Sequence, residues 1–337
     1  MRAYEIQNGF GLENLKLAER PDPTPGPLQV RLRVKAASLN YRDLLMVKGL
    51  YNPKQKLPLI PCSDGAGVID AIGPGVTLVK VGDRCTTVFS QGWIAGEPTR
   101  DKLRTTLGGP LDGALGDTIL LHEEGVVRTP EHLSDEEAAT LPCAAATAWS
   151  ALVTYGSCKA GDTVLLQGTG GVSIFALQFA KLLGLRAIIT SSKDDKLARA
   201  KQLGADDGIN YSVNTDWDKA ARALTDGLGP NQIVEVGGAG TFERSLKTIR
   251  VGGTISVIGQ LTGNAAQVNL IPILMQNVRV QGILVGSRES AEAMCRAISL
   301  HKLKPVIDRV FPLEDARAAF EHMAAGAHFG KVVVRTV

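Results

Sequence analysis

The sequence predicts an α/β protein of two domains, the first mostly β and the second built on a doubly wound parallel sheet. Three observations carry this. The chain of 337 residues is longer than one hydrophobic core of ordinary size organises. From Gly161 onward, short apolar runs alternate with amphipathic stretches of helical period, as in strands buried on both faces and covered by helices. Before about residue 130, β-branched runs bounded by Gly and Pro take the place of that alternation.

Taken in order, "LQVRLRVKAAS" alternates apolar and polar residues, which predicts a half-buried strand. Its Arg31, Arg33 and Lys35 then form a solvated face, not a binding patch. "GAGVIDAIGPGV" and "VGDRCTTV" predict further strands. The segment 91–117 has neither periodicity, and its Gly and Pro content fits a long surface loop of the kind that lines a substrate entrance. "SDEEAATLPCAAATAWSALVTYG" begins as a helix, with Ser134 as cap and Asp135, Glu136 and Glu137 at its positive start, and Pro142 interrupts it.

Next come three strand–helix pairs: "TVLLQ" with "GVSIFALQFAKLLG", "LRAIITS" with "DDKLARAKQLG", and "QIVEV" with "TFERSLKTIR". The strand "GTISVIG" follows them. The tail supplies a helix, the strand "VIDRVF", another helix and the final strand "KVVVRTV". The predicted division is therefore residues 1–130, completed by 286–337, around a second domain at 131–285.

Bulk composition narrows the function classes. Hydrophobic residues make up 44% and charged residues 21%, as in ordinary soluble proteins, and a net charge of +3 gives no reason to expect a nucleic-acid or membrane partner. No window reaches the roughly 18–20 apolar residues of a membrane span, and the N-terminal stretch lacks a signal-peptide pattern. The five cysteines are scattered, with no Cys-x-x-Cys pair. That argues against disulfides and a local zinc lobe, and a reducing cytoplasm is the expected compartment.

The strongest chemical signal is the run Gly168-Thr-Gly170-Gly171-Val172-Ser173 between a buried strand and a helix. Gly168 permits a tight turn, Gly170 lets backbone approach a pyrophosphate, and Gly171 opens a helix whose free N–H groups favour an anion. This predicts a dinucleotide site. At the tip of the next strand, where an acid would bind a ribose 2′-hydroxyl, stand Ser191, Ser192 and Lys193, with Lys196 just beyond. Hydroxyls and lysines there suit a 2′-phosphate, so NADPH is expected over NADH. The bland reading leaves both lysines merely solvated.

The stretches "AASLNYRDLLMVKGLY", "LPLIPCSDGAGVI", "VGDRC", "LPCAAATAWSAL", "GTGGVS", "LGAD", "INY" and "GKVVV", in this order and spacing, make the chain resemble the medium-chain dehydrogenase/reductase superfamily. It looks most like the zinc-independent branch of quinone oxidoreductases and enoyl reductases. The resemblance implies a GroES-like β-barrel catalytic domain joined to a Rossmann domain, an active site in the cleft between them, and a homodimer paired through edge strands such as "VRVQGILVG". It also implies pyrophosphate contacts at Gly170, Gly171 and Val172, 2′-phosphate contacts at Ser192, Lys196 and Tyr211, and Ile258 and Gly259 near the nicotinamide ribose.

Relatives that bind catalytic zinc place a Cys, a His-Glu pair and a later Cys where this chain has Asn40, Ser63-Asp64 and Cys143. No zinc is therefore expected, and Cys143 reads as a packed residue. A metal-free site favours a conjugated acceptor, an enone, enoyl compound or quinone. Hydride addition to such an acceptor leaves an oxyanion that needs a donor and then a proton. Asn40, Tyr41 and Tyr51 are the candidates: Tyr51 matches a donor of enoyl-thioester reductases, and Tyr41 stands nearer the quinone-reductase pattern. Asp43 reads as a local cap or ion pair with Arg42. The alternatives are a metal-free alcohol or aldehyde dehydrogenase, and a non-catalytic NADPH-binding relative of structural or RNA-binding type.

Overall fold

The computed structural model describes residues 1–336, and its hydrogen-bonded strands form two large sheets of opposite character. The chain divides into one unit of Met1–Ala146 with Gly286–Val337 and a second of Thr147–Val285. The chain returns to the first unit at Gly286. The first boundary lies 16 residues beyond the expected 130, because the helix Asp135–Ala139 packs on the strands Gln29–Leu39 and Asp64–Ile72. Ser134 caps that helix reciprocally: its hydroxyl accepts from Glu137 N, while Ser134 N donates to the Glu137 carboxylate. Pro142 is absorbed in a wide helical turn, Leu141–Ala145, instead of ending the helical run.

The seven-stranded sheet of the first unit is centred on Gln29–Leu39, whose burial alternates through its first half and becomes continuous beyond Ala36. The basic face of this strand is structural, since Arg31 and Arg33 both donate to Asp70 at 2.8 and 3.0 Å. Antiparallel register sets Ser38 opposite Asp64 and Leu39 opposite Val332. The end of the central strand and the starts of Asp64–Ile72 and Lys331–Arg335 therefore meet at one point. Segment 91–117 departs from a surface loop. Residues 95–101 and 110–112 are exposed, while Thr106–Gly109 and Gly113–Gly116 are buried, the Gly113 and Ala114 amides bonding to the carbonyls of Ile60 and Cys62. Close backbone approach of this kind is invisible to a periodicity reading.

The second unit holds a six-stranded sheet, parallel throughout, in the order Asp207–Asn210, Arg186–Ser191, Thr163–Leu166, Gln232–Glu235, Thr254–Val257, Arg279–Gly282. The order reverses between Thr163–Leu166 and Gln232–Glu235, which makes that junction the switch point of a doubly wound sheet. The helix Gly171–Leu182 buries Ile174, Phe175, Leu177 and Phe179, and Phe179 meets Trp149 edge-on at 5.4 Å. Such a ring pair adds about 1 kcal/mol to the area it buries. The outer strand Arg279–Gly282 is an exposed edge, as "VRVQGILVG" suggested. Among the described residues no helix is long and apolar enough to cross a membrane.

Candidate active site

The dinucleotide turn lies at the switch point. Gly168 has φ +73° and its amide donates to Thr190 Oγ1 at 3.1 Å. Gly170 caps the helix that Gly171 and Val172 begin, and Ser173 Oγ donates to Gln167 O, holding the turn against its own strand. A Cβ added at Gly168 or Gly170 would meet nothing within 4 Å. The backbone is therefore open on the side where a pyrophosphate approaches, next to the amino end of a 12-residue helix, and the residues fit an NAD(P) pyrophosphate.

Ser191 ends its strand buried, while Ser192 and Lys193 are exposed at the tip. Tyr211 is brought beside them, its amide donating to Ser191 O at 3.0 Å and its ring two-fifths exposed. Lys196 departs from the reading of a solvated lysine: it is only 7% exposed. The carboxylate of Asp194 accepts from the Asn210 side chain at 2.7 Å, so this acid is tied to the start of its helix and does not stand at the strand tip. Ile258 and Gly259 follow Thr254–Val257, and both amides point to Glu235 O.

Composition and motif reading missed the group that holds these loops. Glu235 is fully buried. Its carboxylate accepts from the amides of Gly237 and Gly238 at 2.9 and 3.0 Å, from Thr241 Oγ1 at 2.6 Å, from Gln167 Nε2 at 2.7 Å and from Ser245 Oγ. A buried carboxylate needs such a full set of donors. Through Gln167 it joins the loop after Glu235 to the residue preceding Gly168. Its sequence signal is an acid at the end of an apolar run, one residue before the pair Gly237-Gly238.

On the first unit, Asn40 is the residue before the helix Tyr41–Val47 and is 8% exposed. Lys331 Nζ, 3% exposed, donates to Asn40 Oδ1 at 2.6 Å and to Leu39 O at 2.7 Å, and stands 3.7 Å from Asp64 Oδ2. Ser63 Oγ donates to Asp64 Oδ1 at 2.7 Å, and Asn40 Nδ2 faces Ser63 Oγ at 3.5 Å. Asp43 behaves as the expected cap and ion pair: Oδ2 accepts from Asn40 N at 2.8 Å, and Oδ1 lies 3.5 Å from Arg42 Nη1. The Arg42 guanidinium donates to the carbonyls of Leu107 and Gly109 and lies between the rings of Tyr51 and Phe89, 4.9 and 4.8 Å from their centroids. The Tyr51 ring is thus held on a buried cation, whereas Tyr41 opens the helix with its side chain two-fifths exposed.

Residues 26–131 match the family of alcohol dehydrogenase GroES-like domains, and residues 171–299 match the family of zinc-binding dehydrogenases. A zinc-type alcohol dehydrogenase-like protein of Schizosaccharomyces pombe is 41% identical over 96% of each chain. An acryloyl-coenzyme A reductase of Sulfurisphaera tokodaii is 29% identical over 96% of this chain and 97% of its own. The crystal structure of a putative alcohol dehydrogenase from Sinorhizobium meliloti 1021 superposes with a TM-score of 0.91 at 41% identity, covering 99% of this chain and 98% of that one. The chain belongs to the medium-chain dehydrogenase/reductase superfamily. It is an NAD(P)-dependent oxidoreductase of that superfamily, with a GroES-like domain and a Rossmann domain.

The zinc named in this medium-chain family can be tested against the donors present. Catalytic zinc takes about three protein ligands and keeps an open position. At the positions concerned, Asn40 and Ser63 offer only a neutral amide and hydroxyl. Burial pushes the Asp64 carboxyl up, with Lys331, Asn40 and Ser63 pulling it back. The Cys143 thiol is pushed up by burial and then by Asp64, and Cys143 N donates to Asp64 Oδ2 at 3.3 Å. Among the described residues, no group of three or more His, Cys, Asp or Glu converges as metal ligands. An ammonium already faces the one carboxylate, so this donor set does not fit zinc. The turn beneath it is tight: Cys62 has φ +72°, a glycine-like conformation, and its thiol is pushed up by burial and the acids nearby.

Proposed function

We propose that this oxidoreductase transfers hydride from NADPH to a conjugated acceptor, an enone, enoyl compound or quinone, without zinc. The observation that carries the reading is the set Asn40, Ser63, Asp64 and Lys331, which has hydrogen-bond donors and a buried ammonium where metal-dependent relatives need thiolate and imidazole. Without a Lewis acid, a simple carbonyl is poorly activated. A conjugated acceptor spreads the incoming charge onto an oxygen that hydrogen bonds can stabilise.

The bound nicotinamide supplies the hydride, so the acceptor gains two electrons and one hydrogen at carbon while NADPH becomes NADP⁺. The chain's residues do the rest. Gly170, Gly171 and Val172 hold the pyrophosphate, and Ser192, Lys193 and Tyr211 favour the 2′-phosphate by hydrogen bonds and charge. Asn40 Nδ2 donates to the oxyanion. Tyr51, held by Arg42, supplies the proton that completes the reduced product and is reprotonated from solvent.

The printed name of the Schizosaccharomyces pombe relative favours a second reading, alcohol oxidation. Steady-state assays with NADPH and a panel of enones, enoyl thioesters and quinones, set beside alcohols with NADP⁺, separate the two. The proposal expects turnover of the conjugated acceptors at least about 100-fold above alcohol oxidation. Alcohol oxidation as the faster reaction would overturn it.

A further inference from the structure

Lys331 is a buried cation that the proposed chemistry does not itself use. Its strand reads Lys-Val-Val-Val-Arg and lies at the seam where Leu39, Asp64 and the chain terminus meet, a place fixed by the pairing of Val332 with Leu39. Burying an ammonium requires that its three hydrogens find acceptors. Here two go to Leu39 O at 2.7 Å and Asn40 Oδ1 at 2.6 Å, and the Asp64 carboxylate is an ion-pair partner at 3.7 Å.

The bond to Asn40 has a directional consequence. An amide presents an acceptor at one end and two donors at the other. Because an ammonium only donates, Lys331 obliges Oδ1 to face it, and Nδ2 must turn away toward Ser63 and whatever lies beyond. Nδ2 carries two hydrogens and faces Ser63 Oγ at the long distance of 3.5 Å, with the Asp64 carboxylate as a further acceptor beside it. An incoming oxygen competes for one of these hydrogens. The ammonium also draws electron density from Oδ1, which makes the opposite N–H a better donor in a setting of low dielectric. The helix start assists from below, since Asp43 Oδ2 holds the Asn40 backbone amide at 2.8 Å.

We infer that Lys331 is a positioning residue for the reduction: it fixes and polarises the Asn40 amide so that its N–H is aimed at the acceptor oxygen. Lys331 thus supplies this site's positive charge through the side chain of Asn40 in place of a metal contact with substrate. Asp64 is the counter-ion that makes the buried ammonium tolerable, and Ser63 completes the carboxylate's hydrogen bonds. This rests on the reading of Asn40 as oxyanion donor.

A double-mutant cycle tests it, with turnover of a conjugated acceptor, KM for NADPH and melting temperature measured for each variant. Asn40→Ala is expected to lower kcat at least about 30-fold, the order lost with one oxyanion donor. Lys331→Met is expected to lower kcat about 10-fold or more with KM for NADPH unchanged. The double variant is expected to be no slower than Asn40→Ala alone, because Lys331 then has nothing to act through. Lys331→Met/Asp64→Asn removes both charges together, so it keeps the fold without an unpaired carboxylate and should show the same kcat loss. If Asn40→Ala turns over normally, the donor reading and this inference both fall. If Asn40→Ala is slow but the Lys331 variants keep normal kcat, or if the two losses multiply, the inference alone is overturned.

Discussion

Asp43 shows how a residue that only shapes the site sets a pH dependence. Burial pushes its carboxyl up to about 6, the Arg42 guanidinium pulls it back, and the Asp64 carboxylate adds to the rise. In the unfolded chain the same group titrates near 3.8. Between roughly pH 4 and pH 6 the folded state therefore holds a proton that the unfolded state has lost. Stability from this group falls as pH rises through that window and is flat above it. Asp43→Asn removes the effect. Chemical unfolding should show the wild type losing on the order of 2–3 kcal/mol relative to the variant between pH 4 and pH 7. A difference that stays level across the range would contradict the assignment.

At the scale of elements, two glycines that look alike in sequence serve opposite ends. A Cβ at Gly170 would meet nothing within 4 Å, so Gly170→Val should leave the melting temperature of the free protein within about 2 °C while filling the space kept for the pyrophosphate. NADPH affinity, measured by fluorescence titration, should fall at least about 10-fold. A Cβ at Gly67 would lie 1.9 Å from Arg33 O, inside the pairing of the two central strands. Gly67→Ala should cost roughly 2 kcal/mol or more by forcing that ladder apart. Normal NADPH binding by Gly170→Val would mean that the turn does not cradle the cofactor.

The same contrast explains what the sequence made legible. The strand–turn–helix around Gly168, the three strand–helix pairs and the capped helix at Ser134 are local patterns whose period and spacing state their geometry directly. Lys331 is different. The string "GKVVVR" places a lysine at the start of an apolar strand, an ordinary solvent position, and only the register of Val332 against Leu39 buries it beside Asn40. Nor do residues 106–109 declare that they are interior, because their burial follows from Arg42 donating to two of their carbonyls. Lys196 likewise sits in a helix first turn that reads as solvated, yet it is buried.

For the whole molecule, the chain order matters. The last strand belongs to the first unit although Thr147–Val285 intervenes in the chain, and it contributes an ammonium near Asp64. The proposed catalytic surface of that unit is completed by the C-terminal segment, which a reading of the first 130 residues as a self-sufficient domain would omit. On the proposed reading, this buried charge and the Asn40 amide stand where relatives use a metal. The most direct test of that reading is turnover of a conjugated acceptor with NADPH as zinc is titrated into chelator-treated protein, with bound metal counted in parallel. Full turnover at zero zinc and a flat response up to one equivalent are expected. Activity that is absent after chelation and rises in proportion to one bound zinc per chain would contradict it.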